Sequence, residues 1–378
     1  MYGAQLIQAL RSEFPESIEF FGVGGEKMRA AGCDTVVDAK DLAVVGITEI
    51  LSHLPKIWRL FHRLIDEADL RKPDLAIVID SPAFNWRVAR QMKKRGVPVV
   101  YYVCPQFWAW RQGRVKLLRK YVDKALVIFP FEEKFYRDRG VNAEFVGHPL
   151  AQLSRPAGSR DEYAARFGLD PQKPWITLMP GSRRKEVRMN IPGMLQAAAL
   201  LEHNFEFLLP VAPTLDPAYF EPFLHAAGDM RTRIHLVPEA LPALAHSRAG
   251  IIASGTATVE AALMGLPFVM VYRVTGMTYL LGRSTVKVPY FAMVNLIAGE
   301  KVVPELVQHD FTADAVVAAM RKIIPEGAGR AEMLAGLQLV KNRLQGSNAA
   351  TNAPKQAAKA ILALAGREGV VTRSRRDQ

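Results

Sequence analysis

Short apolar runs, rich in β-branched residues, recur along the chain and are separated by amphipathic segments of helical length. Ile18-Glu19-Phe20-Phe21-Gly22-Val23, Leu75-Ala76-Ile77-Val78-Ile79-Asp80, Val97-Pro98-Val99-Val100-Tyr101-Tyr102-Val103 and Lys124-Ala125-Leu126-Val127-Ile128 read as strands. Near-continuous apolar strands of this kind belong to parallel sheets covered on both faces. After a polar, Pro- and Gly-containing stretch from Gln152 to Arg160 the pattern restarts. Strands are predicted at Trp175–Met179, Phe205–Leu209, Ile234–Val237, Ala249–Ala253 and Pro267–Tyr272. The prediction is an α/β chain of two Rossmann-like, doubly wound domains facing a cleft, 1–150 and 151–345, followed by a C-terminal segment 346–378 that ends in a basic tail.

Two Gly turns between a strand and a helix stand out in the second half. Met179-Pro180-Gly181-Ser182-Arg183-Arg184-Lys185-Glu186 lets the backbone approach a ligand at Gly181 and presents Ser182 and Arg183 at a helix N-terminus. Such an end favours an anion, and the planar guanidinium of Arg183 suits a diphosphate. Glu186 fits equally well as a stabiliser of the first helical turn. Ser254-Gly255-Thr256-Ala257-Thr258 repeats the arrangement, with Glu260 one turn further on as an acceptor for ribose hydroxyls. Either turn alone fits a generic strand-to-helix connection; together they point to a nucleotide diphosphate. Neither a Walker lysine nor a Gly-x-Gly-x-x-Gly turn occurs, which disfavours ATPase and dehydrogenase chemistry.

In the first half, Asp80 closes a strand, where open parallel sheets place ligand-contacting groups. It can serve as a general base, or as a helix N-cap for the stretch from Pro82. His148, at the end of this half, reads as a cleft residue or a strand cap. Cys104-Pro105-Gln106-Phe107-Trp108-Ala109-Trp110-Arg111 places Trp108, Trp110 and Arg111 where they could meet a sugar or a lipid interface, or pack in the core. The apolar run holding Val44, Val45, Ile47, Ile50 and Leu51, followed by a basic amphipathic helix with Trp58, suits the headgroup region of a membrane or a buried core.

Charge and composition narrow this picture. The 378 residues include 49% hydrophobic and 23% charged residues, a globular balance. Of a net charge of +12, eleven cations (Arg87, Arg90, Lys93, Lys94, Arg95, Arg111, Arg114, Lys116, Arg119, Lys120 and Lys124) lie between Ser81 and Pro130 against Asp123 alone. Such a run attracts a polyanion or an anionic membrane, or is a solvated helix face. Two distant cysteines, Cys33 and Cys104, exclude a disulfide scaffold and suit a reducing compartment. Because no His/Cys or paired-carboxylate cluster has metal spacing, no metal or cofactor is expected. No signal peptide or spanning segment is evident, so a cytoplasmic location is expected.

Phe21-Gly22-Val23-Gly24-Gly25-Glu26-Lys27-Met28, Leu42-Ala43-Val44-Val45-Gly46-Ile47-Thr48-Glu49, Cys104–Arg111, Phe129-Pro130-Phe131-Glu132, Pro180–Arg183 and Ser254–Thr256 together closely resemble the lipid-A-disaccharide synthase family. The resemblance runs from about Tyr2 to about Leu364. It implies a GT-B fold whose C-terminal helix returns to the first domain, and inverting, metal-independent transfer from UDP-2,3-diacylglucosamine to 2,3-diacylglucosamine 1-phosphate. By the same resemblance Asp80 and Arg183 are essential, Thr256, Glu260 and Asn295 contact the nucleotide, and Gln356 is a weaker candidate for that role. The partners implied are the two lipid sugars and the cytoplasmic face of the inner membrane, with a homodimer allowed and no nucleic acid. The alternative within the fold is another UDP-GlcNAc enzyme, the peptidoglycan glycosyltransferase or the 2-epimerase. Two departures from the family pattern occur. Relatives begin with a strand and a Gly-Glu-(Ala/Thr)-Ser-Gly-Asp loop, so Met1 is expected to be an internal methionine. Ala83 stands where the family usually carries Asp.

Overall fold

A computed structural model describes residues 1–14, 18–42, 47–153, 155–201, 204–276, 288–345 and 352–367, with backbone alone for 47–54. The chain forms two compact units, Met1–Pro149 with Gln345–Gln378, and Leu150–Leu344.

The first unit begins with helix α1 (Tyr2–Glu13), then β1 (Phe20–Gly24), α2 (Glu26–Ala30), β2 (Cys33–Asp38), α3 (Ala39–Leu42) and α4 (Ile47–Arg71). It continues with β3 (Ala76–Ile79), α5 (Pro82–Lys94), β4 (Val99–Tyr102), α6 (Val115–Tyr121), β5 (Lys124–Val127), α7 (Pro130–Arg137) and β6 (Ala143–Phe145). β1 and β2 form a parallel pair of their own, and β3-β4-β5-β6 form a second parallel sheet in that order. Every residue of β4 is buried, as expected for an inner parallel strand sheathed on both faces. α4 is a single 25-residue helix that runs through Pro55, whereas the sequence pattern suggests an apolar stretch followed by a separate helix.

The second unit contains α8 (Arg160–Phe167), β7 (Trp175–Met179), α9 (Arg184–Leu200), β8 (Glu206–Pro210), α10 (Glu221–Ala226), β9 (Ile234–Val237), α11 (Ala240–His246) and β10 (Ala249–Ala253). There follow α12 (Thr256–Met264), β11 (Phe268–Tyr272), α13 (Met293–Ala298), β12 (Glu305–Val307), α14 (Ala313–Ile323) and α15 (Ala328–Gln345). Its six strands are all parallel in the order β12-β11-β10-β7-β8-β9. The chain winds outward from β7 through β8 to β9. It then returns to pair β10 with the other side of β7, so the winding reverses between β7 and β10.

The last described helix, α16 (Ala353–Arg367), belongs to the first unit and packs on α1. α1 contributes Leu6, Ile7 and Leu10, while α16 buries Ala357, Ala358 and Ile361. Small side chains on one partner let two helix backbones approach closely around the larger side chains of the other.

Candidate functional site

The reversal of winding brings the two Gly turns together. β7 and β10 are hydrogen-bonded neighbours, with Ile252 opposite Met179 at their C-terminal ends. The turns Pro180–Arg183 and Ser254–Thr256 therefore emerge side by side at the place where open α/β sheets bind ligands. Each leads directly into a helix, α9 or α12, whose first N–H groups lack intrahelical acceptors.

Gly181 has φ 125°, a conformation few side chains adopt, and a Cβ there would lie 2.5 Å from Glu186 Cβ. The close approach exists because the Glu186 carboxylate folds back over the turn. Its Oε2 accepts from the N–H groups of Ser182 (2.9 Å) and Arg183 (3.3 Å), and its Oε1 accepts from the Arg183 guanidinium at 2.8 Å. An internal carboxylate thus occupies the anion position of this helix end. The Arg183 side chain remains 80% exposed, leaving the rest of its donor fork open to solvent. Asn190, fully buried on α9, donates to the Pro180 carbonyl and accepts from the Arg273 N–H, tying the turn to the segment after β11. The sequence motifs do not reveal Asn190; its one signal is a polar side chain on the buried face of α9.

At the second turn Gly255 has φ 149° and no neighbour within 4 Å of a Cβ position, so it is the conformation rather than space that calls for glycine. Thr256 is exposed at the start of α12, and the Ser254 hydroxyl donates to the Phe291 carbonyl at 2.9 Å. Glu260 is half-buried, its carboxyl is pushed up by desolvation, and among the described residues its carboxylate has no hydrogen-bond partner. A half-dry acceptor one turn beyond an anion-binding end is placed to receive hydroxyl donors.

Asn295, a candidate nucleotide contact by the family resemblance, is bonded within the second unit. It is fully buried, and all four of its hydrogen-bonding positions are used internally. Nδ2 donates to Val303 O and Glu305 Oε1, and Oδ1 accepts from the Val302 and Val303 N–H groups. These bonds tie α13 to the segment before β12. Glu305, which sequence reasoning passes over, also accepts from the N–H groups of Phe291 and Ala292 and so holds the start of α13.

In the first unit Asp80 follows β3 with its side chain exposed, and among the described residues its carboxylate makes no hydrogen bond. Asp80 and Ser81 are both left-handed, at φ 48° and 44°, and Val103 after the neighbouring strand β4 has φ 57°. Asp tolerates this region better than most residues, but for the β-branched Val103 it is a true outlier. Such positions cost about 1–3 kcal/mol each and cluster at functional sites. Ser81 sits at the N-cap of α5 without a side-chain cap bond. Close by, Pro82, Trp86, Tyr101, Phe107 and Leu118 line an apolar pocket.

The aromatic segment after β4 divides into a buried and an exposed part. Trp108, expected at the acceptor or membrane face, is 5% exposed; its indole N–H donates to Glu132 at 2.7 Å and its ring packs edge-on against Phe131. It is a core residue, because Glu132, at the first turn of α7, offers a buried partner that an exposed indole would lack. Trp110 is 47% exposed with the Arg111 guanidinium 4.3 Å from its ring centre. Trp58 on α4 is 64% exposed and its ring lies tilted against that of His62. His148 is buried beside the Phe129 ring, and desolvation lowers it to about 4. Val44 and Val45 lie outside the described residues, and the side chains of Ile47, Ile50 and Leu51 are not described. Gln356 lies half-buried on α16, in the first unit. Among the described residues no group of three His, Cys, Asp or Glu is placed to hold a metal ion. No helix among them is long and apolar enough to cross a membrane.

Comparison with known proteins agrees with this geometry. The family model of lipid-A-disaccharide synthetase matches residues 1–361. A lipid-A-disaccharide synthase of Koribacter versatilis is 53% identical over 97% of this chain and 96% of its own length. Among solved structures, the calicheamicin glycosyltransferase CalG4 superposes with a TM-score of 0.58 at 16% identity, covering 97% of this chain and 94% of that one. The UDP-GlcNAc 2-epimerase of Neisseria meningitidis gives 0.58 at 13% identity over 95% and 94%. At such low identity the last two show the fold alone, which is GT-B. The chain belongs to the lipid-A-disaccharide synthetase family and is a glycosyltransferase.

Proposed function

We propose that this member of the lipid-A-disaccharide synthetase family transfers 2,3-diacylglucosamine from UDP-2,3-diacylglucosamine to the 6-hydroxyl of 2,3-diacylglucosamine 1-phosphate. The products are the β-1,6-linked disaccharide 1-phosphate and UDP. The observation that carries the donor assignment is the pair of Gly turns side by side at the reversal of winding, with the exposed guanidinium of Arg183 and Glu260, whose carboxylate has no hydrogen-bond partner among the described residues.

Gly181, Ser182 and Arg183 at one helix end, with Ser254, Gly255 and Thr256 at the other, hold the diphosphate, and Glu260 accepts from the ribose hydroxyls. A diphosphate at the first turn displaces the Glu186 carboxylate from the two N–H groups it now occupies, or binds through the free edge of Arg183. Asp80 draws the proton from the acceptor hydroxyl as its oxygen attacks the anomeric carbon from the face opposite UDP. Negative charge grows on the departing diphosphate during that step. Arg183 and the two helix ends stabilise it more in the transition state than in the bound donor, which is what accelerates the step. Gln356 is a secondary candidate for nucleotide contact.

The acceptor carries acyl chains, so the enzyme works at the cytoplasmic face of the inner membrane. Exposed Trp58, the Trp110–Arg111 pair and the cation run from Arg87 to Lys124 support this reading, since amphipathic aromatics and cations suit an anionic headgroup region. A homodimer is allowed by the family resemblance.

UDP release measured with both lipid substrates tests the assignment of roles. Asp80→Ala and Arg183→Ala are each expected to lower kcat by about 10²–10³, the usual cost of losing one such group. Full activity in Asp80→Ala would reject the base.

A further inference from the structure

The polar groups around Asp80 act on its main chain and leave its carboxylate free. The Tyr101 phenol, on β4 and 1% exposed, donates to the Asp80 carbonyl at 2.7 Å. The Asn85 amide, on α5, donates to the same carbonyl at 2.6 Å and to the Ile79 carbonyl at 2.8 Å. From the other side the Asp80 N–H donates to the Tyr102 carbonyl at 3.1 Å. Burial pushes the Tyr101 phenol far above its ordinary value, so it stays a donor at every working pH. Both polar groups of the Asp80 main chain are therefore fixed where φ is 48° and the next residue is also left-handed. An unclamped chain would relax toward ordinary extended or helical backbone and re-aim the side chain, because the direction of Cα–Cβ follows φ and ψ.

We infer that Tyr101 and Asn85 are positioning residues: they clamp the Asp80 carbonyl from two neighbouring elements and so hold the carboxylate in the one direction from which it can reach the acceptor hydroxyl. This rests on the proposed role of Asp80 as base. It explains why a tyrosine hydroxyl is directed from the inner strand at a main-chain oxygen. It also explains how two consecutive left-handed non-glycine residues persist. Neither side chain touches substrate in this account, so binding stays intact while proton transfer suffers. A misplacement of about 1 Å in a reacting group can cost on the order of 10²-fold in rate.

The test uses the full chain, with UDP release measured for Tyr101→Phe, Asn85→Ala and Asp80→Ala singly, and for each of the first two combined with Asp80→Ala. Tyr101→Phe is expected to lower kcat about 10-fold and Asn85→Ala about 10²-fold, with KM for either lipid sugar changing less than about 2-fold. In the Asp80→Ala background neither substitution should lower the residual rate further, because the group they aim is gone. Thermal melting of Tyr101→Phe should stay close to that of the parent, since the ring remains in place. Undiminished kcat in both single variants alongside an inactive Asp80→Ala protein overturns the clamp while sparing the base. Equal fold losses with and without Asp80 overturn it too, by showing a role independent of that carboxylate. Full activity of Asp80→Ala removes the base and the clamp together, a pattern distinct from either of the others.

Discussion

Glu132 shows how much one buried carboxyl can decide. It is fully buried and accepts from the Trp108 indole and the N–H groups of Ile128 and Phe129, yet desolvation outweighs these bonds and pushes it up to about 7. A carboxyl raised above its ordinary value of 4.5 binds more protons folded than unfolded between those two pH values. Its contribution is therefore complete at low pH and lost as pH rises through 7. At about 1.4 kcal/mol per unit this amounts to roughly 3 kcal/mol. His148, lowered to about 4 by burial, has the opposite sign: its contribution is present above 6.5 and lost as pH falls towards 4. Glu132→Gln is neutral at every pH but keeps a single acceptor oxygen for donors that now use both carboxyl oxygens. Its melting temperature is expected to lie below the parent's at pH 5 and to close part of that gap by pH 8; a gap that is the same at both pH values would contradict the burial argument. Such residues are poorly legible in sequence. Trp108 reads as a sugar or lipid contact because it stands among aromatics and basic residues at a strand end, and Asn295 is a candidate through the family resemblance alone. Their actual partners, Glu132 and the pair Val303 and Glu305, lie 24, 8 and 10 residues away, joined only by tertiary folding.

At the scale of elements, the turns after β7 and β10 are fully legible, because an apolar strand, a glycine and a helix start follow one another without interruption. Their adjacency in the sheet is not, since it depends on a strand order that no local pattern encodes. β2, β6 and β12 escape notice: β2 mixes exposed and buried positions, and the other two have three residues each. α4 passes through Pro55, where the sequence suggests a boundary, because a 25-residue helix has bonds on either side to hold it past one missing N–H. The Gly181 geometry makes a specific prediction. Gly181→Ala places a Cβ 2.5 Å from Glu186 Cβ in a backbone conformation hostile to alanine, so the turn must shift. KM for the UDP sugar is expected to rise about 10-fold or more, an effect of roughly 1.4 kcal/mol or above. UDP binding by calorimetry should weaken in parallel, and unchanged UDP affinity would show that this turn does not hold the diphosphate.

For the whole molecule, charge and exposure suggest how the enzyme meets a lipid substrate. A net charge of +12, concentrated in the first half, should draw the protein to vesicles containing phosphatidylglycerol. Raising salt from 0.1 to 1 M, which shortens the screening length from about 10 to about 3 Å, should release much of it. Trp58→Ser should weaken the remainder, and equal binding to neutral vesicles at every salt concentration would contradict an electrostatic docking face. On the proposed function the two units divide the chemistry: the second holds the paired turns and Arg183, the first holds Asp80 and the exposed tryptophans. The measurement that tests the central claim most directly is UDP release by the purified chain supplied with 2,3-diacylglucosamine 1-phosphate and either UDP-2,3-diacylglucosamine or UDP-GlcNAc. The account predicts turnover with the diacylated donor and a disaccharide 1-phosphate product. Turnover confined to the unacylated donor would contradict it.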